Sequence, residues 1–218
     1  MFHWLLTRRA DRLAAFLSRH LRTPGELDRL RVLDVGSGTG HNALALAAGG
    51  LDVAEVDVAD LHVVGDGPRL FDGERLPYDD DAFDAALLLF VLQYPNAPDR
   101  LLCEALRVAG RVLVMQSTCR GGAGRSLLAV REWCSGRGGF QVARAAGYVA
   151  GSGESLRPSR YYSREMLARL FEAAGGRVVA ERPWDSQFGV VRRDLYLLER
   201  ISNERTGCDH AVGHHPGL

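Results

Sequence analysis

The chain contains no lysine: arginine supplies all 27 basic residues, and 27 acidic residues balance them. A formal net charge of zero excludes a global field that would draw a phosphate backbone or an anionic membrane to the whole surface. Nucleic acid and membrane are therefore not expected as partners. Cysteine is sparse as well. Cys103, Cys119, Cys134 and Cys208 form no Cys-x-x-Cys pair, and no histidine stands at finger-like spacing from them. Neither a zinc site nor a disulfide framework is expected, and reduced thiols in a cytoplasmic setting are the simpler reading. Long apolar runs are missing too. The opening Met1-Phe2-His3-Trp4-Leu5-Leu6 is cut at once by Arg8 and Arg9, so neither a bilayer span nor a cleavable signal is expected.

What remains is ordinary globular material, with 46% hydrophobic and 25% charged residues, enough for one sizeable core in a single domain. Arginine without lysine, together with abundant Ala, Gly, Leu and Val, points to a high-GC bacterial genome. Leu13, Phe16, Leu17, His20 and Leu21 recur at helical spacing, which predicts an amphipathic N-terminal helix within 1–24. Its arginines lie mostly off that stripe, and packing on its own domain is favoured over a membrane surface.

Downstream, strands and helices alternate, the pattern of right-handed βαβ units and a parallel sheet. Strands are predicted over 32–35, 53–58, 83–91 and 111–115, with a short one closing at Phe71-Asp72-Gly73. Helices are predicted over 42–48 and 99–109. Glycine and proline between 59 and 70 predict a loop where a helix would otherwise stand. The acidic run Asp79-Asp80-Asp81 reads as a solvated turn, with no metal site. Ser163 is a plausible N-cap for a helix over 164–174. Segments 177–182 and 194–200 read as an antiparallel pair at the sheet edge.

The sharpest feature is Val32-Leu33-Asp34-Val35-Gly36-Ser37-Gly38-Thr39-Gly40, a strand running through a glycine-rich turn into a helix. Glycines let backbone approach a ligand, and the helix N-terminus offers free N–H donors. Asp34 places a carboxylate at the strand's mouth. It would repel a pyrophosphate and attract an ammonium group, so a ligand with a zwitterionic end is favoured over a dinucleotide.

This run resembles motif I of the class I S-adenosylmethionine-dependent methyltransferases. Further matches follow in the family's order: Asp57 at the end of strand two, Phe71 to Pro77 after strand three, and Phe83-Asp84-Ala85 at strand four. The segments 101–114 and 162–167 are also similar, so the resemblance spans about 31–200. It implies an α/β fold: a doubly wound, seven-stranded, mostly parallel, Rossmann-like sheet with an N-terminal cap helix. It also implies one domain over 1–200, with a lid or substrate segment at 117–162, a helical stretch at 126–134 inside it, and a flexible tail at 201–218.

Carried over by position, the resemblance implies that Gly36, Ser37, Gly38 and Gly40 cradle the methionine end of S-adenosylmethionine. Asp34 would lie near its ammonium group, Asp57 at the ribose hydroxyls, and Asp72 with Gly73 at the adenine. Leu89 and Phe90 would pack near the sulfonium. His20 and His3 are candidate general bases and Gln93 a candidate for orienting the acceptor. Phe90 and the Gln93-Tyr94 pair depart from residues common in the family, which concerns substrate contacts and leaves cofactor binding intact.

The implied activity is methyl transfer to a small molecule, with S-adenosylhomocysteine as product, by a monomer or homodimer in bacterial specialised metabolism. The alternative is a methyltransferase-like cyclase or pericyclase that binds the cofactor or substrate without methyl transfer. A non-catalytic binding module and a methyltransferase for RNA or protein fit less well, because the glycine turn is intact and no basic stripe is present.

Overall fold

A computed structural model describes residues 2–21, 30–119, 126, 162–187 and 191–201, with backbone alone for 2–10, 18 and 187. Seven strands form one sheet: β1 (Arg31–Val35), β2 (Asp52–Asp57), β3 (Arg69–Leu70), β4 (Ala85–Leu89), β5 (Arg111–Cys119), β6 (Gly176–Gln187) and β7 (Val191–Arg200). Their order is β3-β2-β1-β4-β5-β7-β6. The first five strands run parallel, whereas β7 is antiparallel to both β5 and β6. The order reverses between β1 and β4, and ligands of open α/β sheets bind at the carboxyl ends of strands beside such a switch.

Among the described residues, four helices cover the two faces: α1 (Phe2–Leu21), α2 (His41–Ala48), α3 (Pro98–Ala109) and α4 (Arg164–Ala173). Strand alternation divides the apolar residues between two cores. Leu33, Val35, Ala86, Leu88, Val112 and Val114 pack with Leu102, Leu106, Leu167 and Phe171 from α3 and α4. Val32, Ala85, Leu87, Leu113 and Met115 pack with Leu13, Phe16 and Leu17 of α1 and Leu46 of α2. A strand such as β4, with every residue buried, is apolar throughout because both of its faces are covered. The basic N-terminal helix is thus spent on its own domain, and the Arg12 guanidinium lies 3.8 Å from the centre of the Trp184 ring on β6.

The predicted helix at 164–174 is observed with Ser163 as its cap, the hydroxyl accepting from the Met166 N–H at 3.2 Å. Several boundaries differ from expectation for identifiable reasons. β4 stops at Leu89 because Phe90 turns to φ 63°, outside the extended region. β5 continues past Met115 through the polar Gln116, Ser117 and Thr118, because β7 begins at Val191 and pairs with them. β6 runs past Pro183, which has no N–H to give, because this is an edge strand with irregularities at Val178/Ala180 and Pro183/Asp185. The loop expected over 59–70 is a loop as far as Pro68, and Arg69 and Leu70 form β3, ahead of the short strand expected to close at Phe71-Asp72-Gly73. Cys119 is free and buried, while Cys134 and Cys208 lie outside the described residues. The helical stretch at 126–134 (Ser126 apart), most of the 117–162 lid and the 202–218 tail lie outside the described residues.

The acidic run after β3 is more than a solvated turn. Asp80 pairs with Arg107 at 2.7 Å and Asp81 with Arg200 at 2.9 Å. Arg107 also donates to both carboxylate oxygens of Glu104, at 2.8 and 2.7 Å, and to the carbonyls of Tyr78 and Leu76. Glu104 Oε2 accepts in turn from the Leu76 N–H at 3.0 Å. One guanidinium on α3 thereby fixes the loop that follows Asp72, and these partners raise its already high pKa further. Replacing Arg107 by Ala is expected to cost about 2–3 kcal/mol, the range for hydrogen bonds to charged groups. Arg107→Lys should recover less than half of that loss, because an ammonium lacks the planar fork. Denaturant unfolding of the two variants measures both effects.

Candidate functional site

The glycine turn begins where β1 ends. Gly36 N–H donates to the Val56 carbonyl at 2.7 Å, tying the turn to β2. Gly38 N–H donates to Asp57 Oδ2 at 2.8 Å, while Asp57 Oδ1 accepts from the Val58 N–H at 2.7 Å. An ionised carboxylate has about four acceptor positions, so Asp57 keeps capacity for a ligand's hydroxyl groups. Gly40, at φ 77°, leads into α2, and a Cβ there would come within 2.5 Å of the Val64 carbonyl oxygen. At Gly38 a Cβ would meet no atom within 4 Å, which leaves open space for a ligand to approach the backbone.

That space belongs to a cavity of about 770 Å³, within the ~300–1,000 Å³ range usual for small-molecule sites. Seven of the residues expected from the sequence line it: Gly36, Gly38, Asp57, Asp72, Gly73, Leu89 and Phe90. Val58, Leu61, Phe71, Val91, Tyr94, Arg100 and Leu101 complete much of the wall. Of these, Val58, Leu61 and Val91 were given no site role from the sequence, because apolar wall residues look like core residues in a linear pattern. A shallower groove of about 670 Å³ lies across Asp72, lined by Arg31, Arg69, Arg75 and Tyr78 among others. No residue of the glycine turn faces it, so the first cavity is the candidate site.

Asp34 is buried on β1, in register between Glu55 of β2 and Leu87 of β4. It sits behind the turn and does not line the cavity wall. Asp72 is exposed and caps its own turn, Oδ1 accepting from the N–H groups of Glu74 and Arg75 at 2.8 and 2.9 Å. Those donors, Arg75 first, hold its carboxyl below the usual aspartate range. Phe90 adopts φ 63°, a left-handed backbone that a bulky side chain rarely takes. Its N–H donates to the Met115 carbonyl at 2.8 Å, and its side chain faces the cavity beside Gly36. Strain of this kind persists only where the surroundings over-determine it, and it clusters at functional sites.

Among the described side chains that line the cavity, neither His20 nor Gln93 occurs. His20 is exposed at the margin of the α1 stripe, its ring 4.5 Å from that of Phe16. His3 lies within α1, with its side chain outside the described atoms. Gln93 Oε1 accepts from the buried Gln116 Nε2 at 3.2 Å. The histidine at the glycine turn is His62, whose Nε2 lies 3.0 Å from Ser37 Oγ. It was passed over because it falls in an irregular loop that the family motifs do not cover. Among the described residues no cluster of metal-ligating side chains occurs, and no helix is long and apolar enough to cross a membrane.

Residues 33–111 match the family described as "Methyltransferase domain". A demethylmenaquinone methyltransferase of Clavibacter sepedonicus is 35% identical over 99 residues, 39% of this chain and 40% of that protein. The chain thus spans about two fifths of the length of the curated relatives it matches. Among solved structures, the [4+2]-cyclase SpnF superposes with a TM-score of 0.57 at 20% identity, over 87% of this chain and 81% of that one. The magnesium protoporphyrin IX methyltransferase of Synechocystis, with bound S-adenosylhomocysteine, gives a TM-score of 0.54 at 16% identity, over 89% and 83%. At such identities these structures establish the fold.

Two substitutions test the backbone of the site. Gly38→Ala should cost about 1–2 kcal/mol, the ordinary penalty for an L-residue in the left-handed region. Gly40→Ala should cost clearly more, because its Cβ also meets backbone; equal losses in denaturant unfolding would show that the Val64 segment yields. At position 90, the Gly variant should be more stable than the Ala variant by about 1 kcal/mol. That reverses the usual order of the two residues, and thermal unfolding of the pair reads it directly.

Proposed function

We propose that the chain is an S-adenosylmethionine-dependent methyltransferase acting on a small molecule; the match of residues 33–111 to the methyltransferase domain family and the seven-stranded fold shared with solved methyltransferases support this reading. The observation that carries this reading is the glycine turn. Its open side at Gly38 faces a cavity bordered at once by Asp57, Asp72 and Phe90. The residues present fit the cofactor. Backbone at Gly36 and Gly38, with Ser37 and Gly40 shaping the turn, would receive its amino-acid end, and Asp34 behind them would favour its ammonium group. Asp57 would accept from the ribose hydroxyls, Asp72 and Gly73 would meet the adenine, and Leu89 and Phe90 would pack near the sulfonium.

When bound, S-adenosylmethionine supplies a methyl group already activated for in-line displacement. The protein's share is then alignment and the exclusion of water. Leu61, Phe71, Leu89, Phe90 and Val91 make the wall largely apolar, and the fixed carboxylates at 57 and 72 orient the ligand. Proximity can suffice without a general base; His20 and His3 remain proposals for that role, and Gln93 for orienting the acceptor.

The likeness to demethylmenaquinone methyltransferases supports starting the acceptor screen with quinol-like aromatic compounds. Specialised metabolism in a bacterial cytoplasm, as a monomer or homodimer, belongs to the same proposal. The second reading, a cyclase that keeps the fold without methyl transfer, is favoured by the extent of the likeness to SpnF.

Calorimetric titration with S-adenosylmethionine and S-adenosylhomocysteine tests the cofactor reading. Wild type is expected to bind both, and Asp57→Ala should weaken binding by at least about tenfold, or ~1.4 kcal/mol. Asp57→Asn, which retains an acceptor for Gly38, should lose less. Folded protein that binds neither ligand would sink the methyltransferase reading. Binding without transfer of labelled methyl to any acceptor in the screen would favour the cyclase.

A further inference from the structure

Against the glycine turn, off the cavity wall, His62 and Glu55 form a buried polar cluster with Ser37, and the cofactor reading uses neither His62 nor Glu55. The His62 side chain is 5% exposed, with Nε2 3.1 Å from Glu55 Oε1 and 3.0 Å from Ser37 Oγ. Ser37 itself is buried within the turn. Neighbouring contacts dock the same loop against the turn: Val63 N–H donates to the Thr39 carbonyl at 3.2 Å, and the Val64 carbonyl and the His62 ring close under Gly40.

The serine and the carboxylate meet the same ring nitrogen. A hydrolytic triad needs them on opposite nitrogens, so the cluster is not a nucleophile with its relay. The other nitrogen, Nδ1, is buried with no hydrogen-bond partner among the described residues. A proton there would be a buried donor without an acceptor, whereas a bare lone pair costs less. The hydrogen therefore sits on Nε2, toward Ser37 Oγ, with Glu55 Oε1 3.1 Å from the same nitrogen but out of hydrogen-bond alignment. Parallel register also sets Asp34 beside Glu55, and burial pushes the Glu55 carboxyl above its ordinary range, with the adjacent imidazole opposing that shift.

We propose that His62 is a positioning residue: its Nε2–H, directed to Ser37 beside Glu55, fixes the glycine turn in the shape that receives the cofactor's amino-acid end. This inference rests on the cofactor reading. His62 does not line the cavity and acts through Ser37. The loop at 59–70, which stands where a helix was otherwise expected, gains a task from this: it carries the imidazole to the turn.

Two variants separate donation from mere ring filling. His62→Phe keeps a ring without a donor, and His62→Gln keeps an N–H near the Nε2 position in a smaller side chain. Calorimetry with S-adenosylhomocysteine should show binding weakened about tenfold in the Phe variant, the loss of one hydrogen bond, with the Gln variant close to wild type. The opposite order, or no change in either, overturns the proposal. Hydrogen exchange at the Gly38 and Gly40 amides of the ligand-free protein gives an independent readout, expected to accelerate in the Phe variant alone. If wild type binds no S-adenosylhomocysteine, the cofactor reading fails, and the exchange measurement decides the positioning role: equal protection in all three proteins rejects it. If the Phe variant does not fold, Ser37→Ala replaces it with the same exchange readout and the same rejecting outcome.

Discussion

A single hydrogen bond from the Gly38 amide to the Asp57 carboxylate, 2.8 Å long, joins the first βα turn to the end of the second strand. The site depends on that link. β1 and β2 are already held side by side by the ladder from Arg31↔Asp52 to Val35↔Val56, but a ladder positions strands and leaves the turn beyond them free. Anchoring Gly38 to Asp57 and Gly36 to the Val56 carbonyl extends the rigidity of the sheet by one more turn of chain. The same carboxylate then borders the cavity with its remaining acceptor positions, so one side chain serves structure and binding together.

Rigidity elsewhere supports this arrangement. The far wall of the cavity is the segment around Asp72, which has only a two-residue strand, β3, to hold it. Compensation comes from α3, whose Glu104 and Arg107 grip the chain from Leu76 to Asp80. Side chains here do what ladder hydrogen bonds do for β1 and β2. Between the two walls, Phe90 leaves β4 in a left-handed conformation, and its N–H stays bonded to Met115 of β5. The neighbouring strand thus holds the strained residue in place and aims its ring at the site.

The sheet edge shows a different balance. β5 carries Gln116, Ser117 and Thr118 deep into the interior, where polar groups are costly unless paired. Pairing with the first residues of β7 satisfies their backbone, and the Gln116 side chain reaches Gln93. Tyr162, whose hydroxyl donates to the Leu92 carbonyl at 2.7 Å, ties the start of α4 to the loop after β4. Position 93 is therefore part of a buried polar strip joining β4, β5 and β7, which explains why a residue proposed to face an acceptor is turned toward its own sheet.

The fold class, the strand and helix succession and seven of the residues that line the cavity were legible in the sequence, because each rests on short-range signals. Val32 to Gly40 specifies strand, turn and helix within nine residues, and the all-apolar stretch of β4 announces a strand covered on both faces. The continuation of β6 past Pro183 and of β5 past Met115, and the grip of Arg107 on the post-β3 loop, were not legible, since each depends on a partner distant in the chain. The same holds for the pairing of Asp80 and Asp81, which as a linear run look only solvated. His62 is the clearest case. In sequence it is one histidine in an irregular loop, and only the parallel register of β1 and β2 sets Ser37 and Glu55 where one imidazole nitrogen meets both. Local pattern determined which segments become strands, turns and helices; the tertiary structure decided which polar groups share a buried space, because that choice is made by burial and register, neither of which the order of residues displays.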